Sequence, residues 1–270
     1  MSDAVIPGTR IGAKPSARAF LHRNPAVARL GLVALALVLW EVAGHTVLDP
    51  NFLSPPSAIV AAMPRVLGDP GVSNALAASF LELVIAFVLA VALGLAIGLA
   101  IGLSGFARRA TLPLVLLLYS IPQVTILPLF VLYFGIGAGS KIAFGVSHGI
   151  FPIILNVVAG VQSVDQAHLT AARSMGASRL QTIRRVVIPR TMPSLFTGLR
   201  LAMSATLLGV LLAELYVSTG GVGYYTRIFA DSFDPPATFT LVAVLALMAV
   251  ALNEAVRIAE RRASFWRMHR

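Results

Sequence analysis

The stretch "TAARSMGASRLQTIRRVVIPR", residues 170–190, decides how the chain is organised, because it interrupts an almost continuously apolar sequence. Five arginines (Arg173, Arg179, Arg184, Arg185 and Arg190) surround Gly176, and Pro189 closes the run. Of the 270 residues, 57% are hydrophobic and only 12% are charged, and the mean hydropathy is +0.86. Soluble domains carry about 25% charged residues. The surface of this chain must therefore face lipid, and the basic stretch must be one of the few parts that face water. With no cysteine in the sequence, disulfides and thiolate metal sites are excluded.

Working outward from this stretch, six windows read as membrane helices: residues 30–48, 78–103, 112–134, 141–161, 193–217 and 239–256. The third contains Pro113, Pro122 and Pro128. Each proline removes a backbone donor and kinks a helix. In a bilayer that is tolerated where protein or trapped water satisfies the freed carbonyls, so this span is expected to pack in protein or line a cavity.

The basic residues then set the orientation. Arg10, Lys14, Arg18, Arg23 and Arg29 precede the first span, Arg108 and Arg109 follow the second, and Arg173, Arg179, Arg184, Arg185, Arg190 and Arg200 follow the fourth. Arg257, Arg261, Arg262, Arg267 and Arg270 follow the sixth. Only Arg65, Lys141 and Arg227 fall on the other side. The positive-inside bias places the first set, with both termini, in the cytoplasm. The net charge of +10 is thus a topology signal and not a nucleic-acid footprint. Residues 1–29 read as a cytoplasmic tail, 30–256 as the membrane domain, and 257–270 as a basic tail in which Phe265 and Trp266 suit an interfacial anchor. The first span lies too far into the chain for a cleaved secretory signal.

Residues 163–192 form the longest loop on the basic side. Ser163 with Gln166, and Ser178 with Gln181, fit capping boxes. Gly176 between them can take a positive φ and close the first helix. Ile188-Pro189 should end the second, since a residue before proline is pushed out of the α region. The expectation is a helix over 164–175, a sharp turn, and a helix over 179–187 whose Leu180, Ile183 and Val187 form one apolar stripe. Physics alone leaves two uses for such a hairpin: docking on a partner, or lying on an anionic membrane surface.

The loop resembles one family. Permease subunits of bacterial ABC importers carry E-A-A, three residues, Gly, nine residues, then I-x-L-P. Here the pattern reads Thr170-Ala171-Ala172, Gly176, and Val186-Val187-Ile188-Pro189, with Thr170 where the family has Glu. The stretches "FLSPPSAIVAAM" (52–63), "SIPQVTILPLFVLYFGIG" (120–137), "SKIAFGVSHGIFPIILNVVAGV" (140–161) and "AELYVSTGGVGYYT" (213–226) resemble the nitrate, sulfonate and taurine branch of those permeases.

The resemblance implies an all-α membrane protein of type I ABC importer permease fold, with six transmembrane helices and a cytoplasmic two-helix coupling loop. It implies a bacterial inner-membrane location, a second permease copy, two cytoplasmic ATPase subunits and an extracytoplasmic solute-binding protein. ATP and Mg would sit on those partner subunits, and this chain would hold no cofactor or metal and be no enzyme itself. The residues implied to couple to the ATPase are Thr170, Ala171, Ala172, Gly176, Leu180, Ile183, Val186, Ile188 and Pro189.

An alternating-access importer also needs polar groups facing its own interior. His148, Pro152 and Asn156 share one face of span four. Tyr119, Ser120, Gln123 and Thr125 cluster around the prolines of span three, and Ser204 and Thr206 lie in span five. Tyr119, Gln123, His148, Asn156, Ser204 and Thr206 are the candidate lining of a path between two subunits, although such groups also serve as hydrogen-bonding glue between helices. Glu41 and His45, one turn apart, suit a pair or a packing contact. Glu82 and Glu214 lie near the outer ends of spans two and five. Glu214 opens a stretch in which Gly220, Gly221 and Gly223 allow a tight bend, so Glu214 and Gly223 are the candidate extracytoplasmic gate.

Two other classes fit less well. A membrane enzyme would need paired carboxylates, a metal cluster or an activated nucleophile; HExxH and Walker A patterns are missing. A stand-alone secondary transporter would show internal halves and midplane carboxylates.

Overall fold

The computed structural model describes residues 25–46, 49 and 52–263, and the regular elements among them are all helical. The proposed tail before residue 25, the end of span one, and the Phe265–Trp266 anchor lie outside the described residues.

The first helix, α1 (Pro25–Thr46), is apolar on all sides, and most of its leucines are exposed. Its polar attachment is local. Glu41 accepts from His45 Nε2 at 2.9 Å and from the Ser57 backbone N–H at 3.0 Å, so both expected roles of this pair are met. Ser57 lies in the first turn of α2 (Pro56–Leu67), where a carboxylate favours the helix dipole. Helix α2 is a short element that the span windows missed. Its Ile59, Ala62 and Val66 bury one face, and Thr240 donates to the Ile59 carbonyl at 3.2 Å.

The second span is α3 (Pro70–Gly102), 33 residues begun by Asp69, which accepts from Gly71 N at 2.6 Å. Ala86, Ala90, Gly94, Gly98 and Gly102 recur every fourth residue and are buried. That stripe lets α3 lie against α6 (Ala138–Gln162), the fourth span. A Cβ added at Gly94 would stand 2.8 Å from Ile153 Cβ, and one at Gly98 would stand 2.9 Å from Val157 Cβ. Small residues at an interface of this kind replace the hydrophobic effect, which gives no drive between helices already in lipid. Gly98→Leu is expected to destabilise the chain by about 1–3 kcal/mol or more through overpacking. Gly105→Ala, with open space around it, should leave the thermal midpoint in detergent unchanged.

The third window is not one helix. It divides into α4 (Gly105–Ser120), a 3-10 turn (Gln123–Ile126) and α5 (Leu127–Phe134), with an 85° bend between the halves. Ile121, before Pro122, is extended at φ −67 and ψ 130, as the proline requires. Pro113 is carried inside α4 without a break.

The hairpin follows α6. Helix α7 (Gln166–Ser174) is capped by Asp165, which accepts from Ala167 N at 2.9 Å; Ser163 instead donates to the Gly160 carbonyl at 2.8 Å. The expected first capping box is therefore absent, because α6 runs on to Gln162 and leaves Asp165 as the first extended residue. Helix α8 (Arg179–Thr182) has the expected box, with both Ser178–Gln181 bonds present.

The second helix does not stop at Ile188-Pro189. A π-helical turn (Ile183–Val187) carries α8 into α9 (Ile188–Val217), so residues Arg179–Val217 form one 39-residue helical run. The wider turn lets Ile188 N bond back to Ile183 O, and Pro189 then falls in the first turn of α9, where its missing N–H is tolerated.

After α9 the chain turns at Gly221 (φ +105), forms the short α10 (Val222–Asp231), and returns through α11 (Pro235–Ala263). Helices α1, α3, α6, the run ending in α9, and α11 are each long and apolar enough to cross a membrane; the bent pair α4/α5, counted as one broken span, makes six. Helix α6 is central, with α3 and α9 packed most extensively against it.

Candidate functional site

Two groups of candidate residues lie at opposite ends of this bundle. At the hairpin end, the sharp turn is a Schellman motif. Ala177 N bonds to Ala172 O at 3.0 Å, Gly176 N bonds to Arg173 O at 2.9 Å, and Gly176 has φ +76. The Ala-Ala-x-x-x-Gly spacing is thus one helix's last turn with its left-handed cap. Arg190 donates to His168 Nε2 at 2.7 Å and ties α7 to the start of α9.

Burial divides the residues expected to couple to an ATPase. Ala172 and Val187 are buried, Ile183, Val186 and Pro189 are half-buried, and Thr170, Ala171, Leu180 and Ile188 are exposed. The apolar stripe therefore turns inward along its length, and only Leu180 remains free. Met175, which no sequence motif marked, is 80% exposed at the turn. The outward tip is Met175 and Leu180 rimmed by arginines.

At the other end lies an ionic cluster assembled from three spans. Lys141 Nζ stands 2.7 Å from Glu82 Oε1 and 3.9 Å from Glu214 Oε1, and it donates to Gly220 O at 3.4 Å. Glu214, fully buried, also accepts from Ser79 Oγ and, through Oε2, from Gly223 N at 2.8 Å. Ser79 in turn accepts from Val222 N at 2.9 Å. The first turn of α10 is therefore pinned by α3 and α9 together. A side chain on Gly221 would collide with the Glu214 carboxylate, and one on Gly223 would stand 2.7 Å from Glu214 Cβ.

Glu214 and Gly223 are thus brought together as expected. Lys141 and Ser79 were missed: Lys141 was read only as an outer-side charge. The available signal was depth, since Ser79, Glu82, Lys141 and Glu214 all fall near the same end of their spans.

The candidate path residues do not form one lining. His148 bonds its own helix at Phe144 O (3.0 Å) and packs against Gly209; Asn156 bonds Pro152 O (2.8 Å) and packs against Gly198. Both sit half-buried in the α6–α9 seam. Thr206 is fully buried beside Gly149 and Ala90, so in this conformation it faces neither lipid nor water. Ser204 lies on another side of α9, 3.3 Å from Asn253 of α11. At the α4/α5 bend, Gln123 accepts from Ser147 at 3.1 Å, and exposed Tyr119 packs on Phe151.

Gly145-Val146-Ser147-His148-Gly149 matches in letters the Gly-x-Ser-x-Gly pattern of hydrolases. That pattern works on a strand-to-helix turn that presents the serine. Here it lies inside α6, and Ser147 donates to the Phe144 carbonyl at 2.7 Å. No group of three potential metal ligands occurs among the described residues.

The chain belongs to the binding-protein-dependent transport system inner membrane component family, whose model matches residues 90–264. It is 33% identical over 240 residues to the taurine transport system permease protein TauC of Escherichia coli (strain K12), covering 87% of each chain. To the putative aliphatic sulfonates transport permease protein SsuC of Bacillus subtilis (strain 168) it is 28% identical, covering 87% of this chain and 86% of that one. Among solved structures, a chain of the MetNI methionine ABC transporter in inward-facing conformations superposes with a TM-score of 0.60 at 20% identity, covering 74% of this chain and 97% of that one. The fold is that of a type I ABC importer permease, and the chain is a multi-pass membrane protein of the sulfonate and taurine branch.

Proposed function

We propose that this permease, paired with a second copy of itself, forms the route for a small organic anion of the sulfonate class, and that two cytoplasmic ATPase subunits drive it through the 166–187 hairpin. The observation that carries this reading is the double fixation of the hairpin: a Schellman turn closes one helix and a capping box opens the next. A lever must be stiff to transmit a rigid-body movement, and α8 continues without interruption into the 39-residue run that ends at Glu214's neighbourhood. The basic end faces the cytoplasm by the positive-inside bias. ATP and Mg belong to the partners.

The α10 end is the side that receives solute from a binding protein, with the Glu214–Gly223 contact holding a gate. Tyr119 and Gln123 at the α4/α5 bend, with His148, Asn156 and Ser204, supply polar groups toward the path when the seam rearranges; Thr206 serves packing.

The test is uptake in proteoliposomes containing permease, ATPase and binding protein, with taurine as the first solute offered. Wild-type chain should accumulate it only with ATP inside. Glu214→Gln combined with Gly223→Leu should abolish most uptake, because Leu cannot fit against Glu214 Cβ and Leu211 O. Unchanged uptake in that variant would remove the gate from the account.

A further inference from the structure

We propose that the recess between the end of α3 and the hairpin is a binding site for the phosphate of an anionic phospholipid. The recess has a volume of about 420 Å³. Its polar wall is Arg173, Arg179 and Thr182, and its apolar wall includes Leu103, Leu169 and Ile183. Arg173 stands in the last turn of α7 and Arg179 opens α8, so the Schellman turn and the capping box fix the backbone from which both side chains reach the recess.

Neither arginine has a carboxylate within 4 Å among the described residues. The carboxylates of this end are engaged elsewhere. Asp165 caps α7, Glu254 pairs with Arg257, and Glu260 pairs with Arg200. A dipole accounts for Arg173 at a helix C-terminus but opposes Arg179 at a helix start. The fold therefore leaves two positive charges facing one recess, with no carboxylate among the described residues within 4 Å to neutralise them.

The apolar wall selects the class of anion. Leu103 directly follows the last residue of a membrane span, so the recess opens where hydrocarbon gives way to water. A phospholipid places its phosphate at that level and its acyl chains on the apolar side, and basic pockets on the cytoplasmic side suit anionic headgroups. The outward tip at Met175 is not part of the wall. Of the residues expected to couple to an ATPase only Ile183 lines the recess, and the inference goes beyond the transport reading without depending on it.

Native mass spectrometry of the full-length chain in mild detergent tests the site, with dioleoyl phosphatidylglycerol, dioleoyl phosphatidylcholine or inorganic phosphate added separately. Phosphatidylglycerol should be retained in preference to phosphatidylcholine. Arg173→Ala with Arg179→Ala should lower that retention roughly tenfold or more. Arg184→Ala with Arg185→Ala, outside the recess, should not lower it, and Arg173→Lys with Arg179→Lys should keep most of it. Should the alanine pair lose its thermal transition, Arg173→Gln with Arg179→Gln takes its place. Equal retention of both lipids, retention unaffected by removing the two charges, or displacement by millimolar inorganic phosphate would each overturn the site. Loss of the lipid whenever an ATPase subunit co-purifies would assign the recess to an acidic protein surface instead.

Discussion

Replacing Lys141 with Met is expected to leave little folded permease. The substitution removes the one cation between Glu82 and Glu214 and strands two carboxylates in a site where Glu214 is fully buried and Glu82 nearly so. Breaking a buried pair by removing one partner costs about 3–5 kcal/mol, because the remaining charge keeps its desolvation penalty without its compensation. That is a large part of the roughly 5–15 kcal/mol that holds a domain together. The measurement is the monodisperse fraction and thermal midpoint in detergent. Lys141→Met combined with Glu82→Gln and Glu214→Gln removes all three charges and should recover much of the loss. If the single variant were as stable as wild type, the cluster would have no structural weight.

Gly176→Val should act differently: the permease stays inserted while solute-stimulated ATP hydrolysis falls. Gly176 sits at φ +76, and a left-handed conformation costs an L-residue about 1–2 kcal/mol, more for a β-branched one. No neighbour lies within 4 Å of its Cβ position, so the effect is backbone strain and not a clash. The strain opens the Schellman turn and loosens α7 against α8, and stimulation should drop by about tenfold. Gly176→Asn, which tolerates that conformation, should keep most of it. Full stimulation in the valine variant would remove the hairpin from the coupling route.

The parts of this architecture written in local chemistry were legible in the sequence. Ser178 with Gln181 announced a capping box, Gly176 a left-handed cap, and the apolar windows overlapped five of the six crossings, whose helices run past them by 8 residues at the start of α3 and 7 at the end of α11. The misreadings share a cause. Asp165 displaced Ser163 as the cap because α6 ran one residue further than expected, and a cap is set by where the previous helix stops. Pro189 did not end the helix because the π turn ahead of it absorbed the missing donor; no local propensity marks such a turn. Pro122 broke a span that Pro113 did not, a difference set by the 3-10 turn and the packing around it.

Tertiary placement was the other gap. Lys141, Glu82 and Glu214 are far apart in sequence and looked like isolated charges, and only helix packing brings them to one point. The same packing buries Thr206, a path candidate, in the helix seam beside Gly149. Met175 carried no motif, yet it stands 80% exposed just before the turn.

The central claim is that the hairpin tip meets an ATPase on the cytoplasmic face. Since the chain has no cysteine, Met175→Cys gives a single thiol at that tip. Its reaction with a membrane-impermeant maleimide should be measured in right-side-out and inside-out vesicles, with and without the co-expressed ATPase. The account predicts labelling only in inside-out vesicles and strong protection when the ATPase is present. Labelling from the outside, or full labelling with the ATPase bound, would contradict it.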